Sequence, residues 1–217
     1  MTDTIDEPGH DCPLCPRLVE YRARNRAAEP GWFNGPVAGF GPVDARLLVV
    51  GMAPGVKGAN RTGRPFTGDH AGWLLYQTLA KYGLASGTYA ASPDDGVRLV
   101  GCRIVNAVRC VPPANLPLPV ETRTCNRFLA AELEAVRPRG ILALGLLAHD
   151  AVLRAFGLRL SAWRFKHGIR HALPNGTVLA DSYHVSRLNT NTGRLTAPMF
   201  EAAVAGLLEA AATQRAD

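Results

Sequence analysis

Residues 46–51, Arg-Leu-Leu-Val-Val-Gly, run directly into residues 52–69, Met-Ala-Pro-Gly-Val-Lys-Gly-Ala-Asn-Arg-Thr-Gly-Arg-Pro-Phe-Thr-Gly-Asp. A short apolar run ending in glycine reads as a buried strand, and the glycine-rich stretch after it as a long loop. Asp69 has the character of a helix N-cap. Beyond it Leu74, Leu75, Thr78, Leu79 and Tyr82 fall on one helical face, and Gly83 closes the helix. The unit is therefore strand, loop, helix. Working outward, residues 102–108 read as a second strand and residues 120–136 as an amphipathic helix presenting Phe128, Leu129, Leu133 and Val136. Residues 140–145 (GILALG) form a third strand, followed by a helix to about Phe156. Residues 177–183 form a fourth strand, and residues 197–213 a final helix rich in Ala, Leu and Glu. Upstream, residues 16–28 suit a basic helix and the Gly- and Pro-rich residues 30–42 a loop. Strands alternating with helices predict an α/β/α sandwich around a mostly parallel sheet.

The chain has 217 residues, of which 47% are apolar. This suits a single domain with a sizeable core. Residues 1–11 are expected to be a loose, flexible tail, and residues 12–217 the domain. No apolar run reaches the length of a membrane span. The start, MTDTIDEPGHDC, lacks the basic and apolar regions of a secretory signal, so the cytoplasm is the expected compartment. The formal net charge of +6 fits a polyanionic partner such as nucleic acid. The excess is nearly all arginine, with lysine only at positions 57, 81 and 166, so genomic base composition accounts for it equally well.

Open parallel sheets bind ligands beyond the carboxyl ends of their strands. The 51–69 loop, Asn106, Gly145 and His184 all fall at or near such ends, so four segments are expected to converge on one rim. The 51–69 loop lacks the Gly-Lys-Ser/Thr of a phosphate-binding loop. Its glycines let backbone approach a ligand closely, and a flat ring suits it better than a phosphate facing the Asp69 side chain. The plainer reading is a strand-to-helix loop with Asp69 as a cap. In residues 183–196, His184, Ser186, Arg187 and Arg194 accompany several amides and hydroxyls, a composition suited to hydrogen bonding with a base and with phosphates. The plainer reading there is a solvated loop. Cys12 and Cys15 form C-x2-C, and Cys110 and Cys125 flank a proline-rich segment. Four such thiolates can hold zinc or a [4Fe–4S] cluster. Cys102, inside an apolar strand, reads as a buried thiol.

Three segments are specific: GMAPGVKGANRTGRPFTGD at 51–69, NAVRCVPP at 106–113 and HVSRLN at 184–189. On these the chain, nearly from end to end, resembles the uracil-DNA glycosylase superfamily, and within it family 5, with family 4 next. The resemblance implies a DNA-repair glycosylase that hydrolyses the N-glycosidic bond of uracil and other deaminated bases in single- and double-stranded DNA. It is expected to act as a monomer, and its four cysteines to carry a structural [4Fe–4S] cluster. It implies that His184 donates to the departing base, Asn106 bonds the base edge and Phe66 stacks on the flipped ring. The backbone from Gly51 through Ala53 to Gly55 shapes the pocket. Asp69 handles water, since Ala53 stands where many members carry a polar residue. It also points to Leu188 as the side chain that enters the DNA stack. The apolar Ala53 suggests a broad range: uracil, then hypoxanthine, xanthine or damaged cytosines. Two alternatives stay open: a non-catalytic DNA-binding module with a redox-responsive cluster, and a zinc protein of similar fold.

Overall fold

The computed structural model describes residues 5–213. Seven strands and seven α-helices follow one another along these residues. The main sheet contains β1 (Leu47–Gly51), β4 (Cys102–Asn106), β5 (Gly140–Leu144), β6 (Arg170–Ala172) and β7 (Val178–Ser182), in the order β4-β1-β5-β7-β6. The first four of these pair in parallel, and β6 lies antiparallel on the β7 edge. The helices are α1 (Pro16–Ala28), α2 (Ala59–Thr62), α3 (His70–Lys81), α4 (Pro119–Val136), α5 (Leu146–Ala155), α6 (Arg187–Asn191) and α7 (Ala197–Thr213). A two-stranded ribbon of β2 (Ala85–Ser86) and β3 (Arg98–Leu99) stands apart from the sheet. No described helix is long and apolar enough to cross a membrane.

Strand periodicity explains the layering. Side chains alternate across the sheet, so Leu47, Val49, Leu142, Leu144, Val178 and Ala180 share one face. They pack there with Leu75 and Leu79 of α3 and with Phe200, Val204 and Leu207 of α7. Leu48, Val50, Ile141, Ala143 and Leu179 share the other face, against Leu129 and Leu133 of α4 and Ala148 and Val152 of α5. Both faces are covered, which is why β1 and β5 are apolar throughout rather than alternating. The α/β/α sandwich expected from the sequence is the fold observed.

Within the tail expected over residues 1–11, Glu7, His10 and Asp11 are held by contacts. Residues 1–4 lie outside the described residues. Glu7 accepts a hydrogen bond from Gly39 N at 2.8 Å and lies 3.6 Å from Arg103 and 3.7 Å from Arg109. These two arginines also share the buried carboxylate of Glu132. Arg26 further along clasps Asp11 at 2.6 Å and the His10 ring at 2.7 Å. Residues 7–11 are therefore tied down, Glu7 by Gly39 N and the charge of buried Arg103 and Arg109, His10 and Asp11 by Arg26 of α1.

Candidate active site

The strand order places the site. From β1 the chain passes to β4 on one side, then crosses back to β5 on the other. Loops leaving the carboxyl ends diverge at β1 and open a crevice there. A cavity of about 710 Å³ occupies it. Ala53, Gly55, Phe66, Asp69, Asn106, Gly145, His184, Ser186 and Arg187 all line it, so the four segments expected to converge do so. Gly51 forms its floor rather than its lining. A Cβ there would lie 2.4 Å from Asn106 Oδ1 and 2.5 Å from Phe66 Cζ. Only a residue without a side chain lets that amide and that ring meet over the end of β1.

Asp69 both caps a helix and lines the cavity. Its Oδ1 accepts from Ala71 N at 3.1 Å and caps α3. Its Oδ2 points the other way, into the 55–58 turn. A Cβ on Gly55 or Gly58 would come within 2.7 Å or 2.1 Å of that oxygen. Cap and pocket group are thus one carboxylate with its oxygens divided. Burial raises its pKa above the ordinary 3.8, while the backbone amides of Ala71 and Gly72 oppose the shift.

His184 follows β7 by two residues. Burial depresses its pKa to about 4, so at neutral pH the ring is uncharged, with one N–H to donate. Asn189 Nδ2 donates to the His184 carbonyl at 2.8 Å, and Ser186 caps α6 by accepting from Asn189 N. The His184 ring lies 6.1 Å from the Phe66 ring, tilted by 32°. The Asn106 side chain is buried, and its Oδ1 has no hydrogen-bond partner. A buried amide with a bare acceptor is costly unless a ligand satisfies it. Val185 is fully buried among sheet residues, whereas Leu188 is 72% exposed on α6, beside the cavity mouth.

Phe66 adopts φ +52°, a left-handed conformation that a bulky residue rarely takes. Its neighbours hold it there. Tyr89 Oη donates to the Phe66 carbonyl at 3.0 Å and Tyr76 Oη to the Pro65 carbonyl at 2.8 Å. The two tyrosine rings stack at 4.6 Å. Arg64 lies over both rings and makes paired 2.8 Å bonds to Asp95. Sequence reasoning missed this support, since residues 64, 76, 89 and 95 form no motif. It also missed His70, which follows the Asp69 cap and meets Thr190 of α6 at 3.0 Å, joining the two lips of the cavity.

The cysteines gather beside this pocket. Cys12, Cys15, Cys110 and Cys125 pack around Leu18, Val108 and Phe128, and Ala53 of the pocket wall touches the same nest. Arg109 N donates to Cys125 Sγ at 3.3 Å, and Arg22 Nη1 to Cys110 Sγ at 3.7 Å. Arg17 and Glu121 pair at 2.7 Å through both carboxylate oxygens, fastening α1 to α4 over the nest. Burial and mutual repulsion push the Cys15 thiol up to about 11 and the Cys110 thiol up to about 12. Four thiols gathered in one partly buried nest form a set that a cationic metal group would stabilise as thiolates. Cys102 sits elsewhere, wholly buried among apolar residues of the α3–α7 face.

A family model described as "Uracil DNA glycosylase superfamily" matches residues 38–208. A type-5 uracil-DNA glycosylase of Thermus thermophilus is 50% identical over 196 residues, covering 87% of this chain and 89% of that protein. A type-5 uracil-DNA glycosylase of Pyrobaculum aerophilum is 45% identical over 191 residues, covering 86% and 83%. A type-4 uracil-DNA glycosylase of Thermotoga maritima is 38% identical over 134 residues, covering 60% and 62%. With the matched region spanning the sheet, the crevice and every pocket residue named above, the chain belongs to the uracil DNA glycosylase superfamily, in its type-5 branch.

Proposed function

We propose that this chain hydrolyses the N-glycosidic bond of uracil and other deaminated bases in DNA, acting as a monomer. One observation carries the reading. A carboxylate, a neutral imidazole, a buried amide with a bare acceptor and an aromatic face line one cavity at the strand ends. A non-catalytic DNA-binding module has no use for that combination. All four groups come from one chain, which supports the monomer.

The target nucleotide leaves the stack and enters the cavity. Phe66 covers one face of the base. Asn106 presents both a donor and an acceptor to its edge, which satisfies the bare Oδ1. As the bond from C1′ to the base nitrogen lengthens, positive charge gathers on the sugar and negative charge on the base. Neutral His184 donates its N–H to the base oxygen that gains charge. The Asp69 Oδ2 stabilises the sugar cation and takes a proton from the attacking water, whose oxygen forms the new bond to C1′. The base departs as its anion and is protonated from solvent. Ala53 offers that wall no hydrogen bond, which supports a broad choice of bases.

Cys12, Cys15, Cys110 and Cys125 would hold a [4Fe–4S] cluster. A tetrahedral zinc site needs its sulfurs roughly 3.8 Å apart, from a Zn–S distance of about 2.3 Å. The long proline-stiffened loop between Cys110 and Cys125 suits the wider ligand spacing of a bulkier cluster. When bound, the cluster supplies a redox-capable brace. The chain's own contribution there is mechanical: Val108 N donates to Met52 O at 3.0 Å, so the cysteine nest backs the pocket wall.

The test is an excision assay on single-stranded oligonucleotides carrying one uracil, with metal analysis of the same preparation. Release of free uracil is expected, together with about four irons per chain. DNA binding without base release would refute the glycosylase reading. One zinc and no iron would refute the cluster.

A further inference from the structure

Behind β7, on the face away from the α3–α7 layer, three ligand-type side chains point at one another. His149 of α5, His171 of β6 and Asp181 of β7 place one ligand atom each within 4.8 Å of the others. His149 Nδ1 is 2.8 Å from Asp181 Oδ1, and His171 Nε2 is 3.6 Å from Asp181 Oδ2. We propose that these three residues form a divalent-metal site, suited to zinc, that clamps α5 to the β6–β7 edge.

Two independent features support it. The first is the state of the ligand nitrogens. His171 is 90% buried at its side chain, and its Nε2 has no hydrogen-bond partner. If Nε2 is unprotonated, its lone pair faces a carboxylate, which is repulsive. If it is protonated, 3.6 Å is too long for a hydrogen bond. A cation between nitrogen and carboxylate resolves both. A tetrahedral site with nitrogen and oxygen ligands at about 2.0–2.1 Å needs ligand atoms roughly 3.3 Å apart, and with one ligand atom of each residue already within 4.8 Å of the others, small side-chain rotations bring the three to that spacing. The second is the outer shell. His149 Nε2 lies 3.0 Å from the Trp163 carbonyl, to which it donates, the outer-shell bond that orients a metal-ligating imidazole and turns Nδ1 towards Asp181. Lys166 N donates to Asp181 Oδ2 at 3.3 Å. The rings of Trp163 and Phe165 stand edge-on to His171 and His149 and limit solvent access.

Uptake displaces the Nδ1 proton of His149 to solvent and forms bonds to His149 Nδ1, His171 Nε2 and one Asp181 oxygen. Water completes the tetrahedron through the part of His171 left open. Imidazole and carboxylate suit zinc, whereas iron–sulfur chemistry belongs to the thiols. The cysteine nest packs against Leu18, Val108 and Phe128, none of which touches these three residues' core layer, so the two sites are separable by mutation.

The experiment uses the full chain with its cysteine site loaded. Wild-type protein and His171→Gln, each grown with zinc and washed free of loose metal, are analysed for zinc and iron. Crystals of the wild type are measured for anomalous scattering at the zinc edge. His171 makes no side-chain hydrogen bond, so the glutamine variant is expected to fold. One zinc per wild-type chain is expected, an anomalous peak between the three residues, at least a tenfold weaker zinc affinity in His171→Gln, and unchanged iron. Absence of zinc from the wild type, a peak only at the cysteines, or zinc retained at full affinity by His171→Gln would each overturn the proposal.

Discussion

Asp69→Asn separates the two oxygens of one side chain. Oδ1 caps α3 through Ala71 N, and Oδ2 faces the turn at Gly55 and Gly58 within the cavity. Asparagine caps about as well as aspartate, so the cap survives to within a few tenths of a kcal/mol. The lost charge at a helix N-terminus costs roughly 0.3–1 kcal/mol. Relief of a partly buried carboxylate opposes that cost, since burial is the main influence on its pKa. The net change should stay below about 1 kcal/mol, or less than about 4 °C in Tm for a chain of this size. The chemical step is a different matter. A positioned general base contributes about 10²–10⁴-fold, or about 2.7–5.5 kcal/mol of barrier at 1.36 kcal/mol per decade. Single-turnover excision from a uracil oligonucleotide isolates that step from product release. Asp69→Ala is the control, because it also removes the cap and should lower stability by about a further 1 kcal/mol. If Asp69→Asn keeps its rate to within about threefold while melting like the wild type, Asp69 is only a cap and the mechanism fails.

Four other outcomes follow from the geometry. The His184 pKa is depressed from 6.5 to about 4, so below about pH 6.5 the unfolded chain takes up a proton that the folded chain refuses. Stability is therefore full above that pH and falls by on the order of 3 kcal/mol between about pH 6.5 and 4, a loss that His184→Asn should largely abolish in urea titrations at pH 7 and pH 4.5. Single-turnover rates should show no histidine limb near 6.5, and their acid limb should belong to Asp69, whose protonated form cannot take a proton from water. Leu188→Ala should slow excision from duplex DNA far more than from single strands, because only the duplex has a stack to open; equal effects on both would remove Leu188 from the mechanism. Deleting residues 1–8 should lower stability by roughly 1–2 kcal/mol, since Gly39 N loses its acceptor and the buried Arg103 and Arg109 lose a nearby carboxylate, and a thermal melt unchanged to within 1–2 °C would show that Glu7 contributes nothing.

The sheet and the main site residues were legible because both rest on short-range rules. The runs at 47–51 and 140–144 are apolar at every position, as strands covered on both faces must be. Once strands were placed, the carboxyl-end rule pointed to Asn106 and His184 without further knowledge. β6 escaped notice because Arg170, His171 and Ala172 carry no alternation and only the edge of β7 organises them. The β2–β3 ribbon, two residues in each strand, is too short for any period to register. Tyr76 is wholly buried although the apolar stripe of α3 omits it; its partners are the Pro65 carbonyl, Arg64 and Tyr89, all supplied by loops. Glu7 failed for the same reason. An acid in a polar leader reads as loose chain until folding brings Arg103 and Arg109 to it.

The residues hardest to read are those that break local rules, and they surround the pocket. Phe66 at φ +52° holds a conformation that costs on the order of 1–3 kcal/mol for a residue of its kind. It persists because two tyrosine hydroxyls and an arginine–aspartate pair fix the carbonyls and loops on either side. Released from that conformation, the ring would swing away from the Gly51 floor and from His184, and on the proposed mechanism the base would lose the aromatic surface against its face. Gly51, Gly55 and Gly58 break the rule from the other direction, with close approaches that no side chain could share. The first motif is therefore a set of steric permissions. It lets Asn106, Phe66 and Asp69 stand closer to backbone than an ordinary loop would allow, and the tyrosine and arginine supports keep them there. On the proposed mechanism, preorganisation of this kind would place polar groups around the reacting bond before the base arrives, so little reorganisation would remain for the transition state.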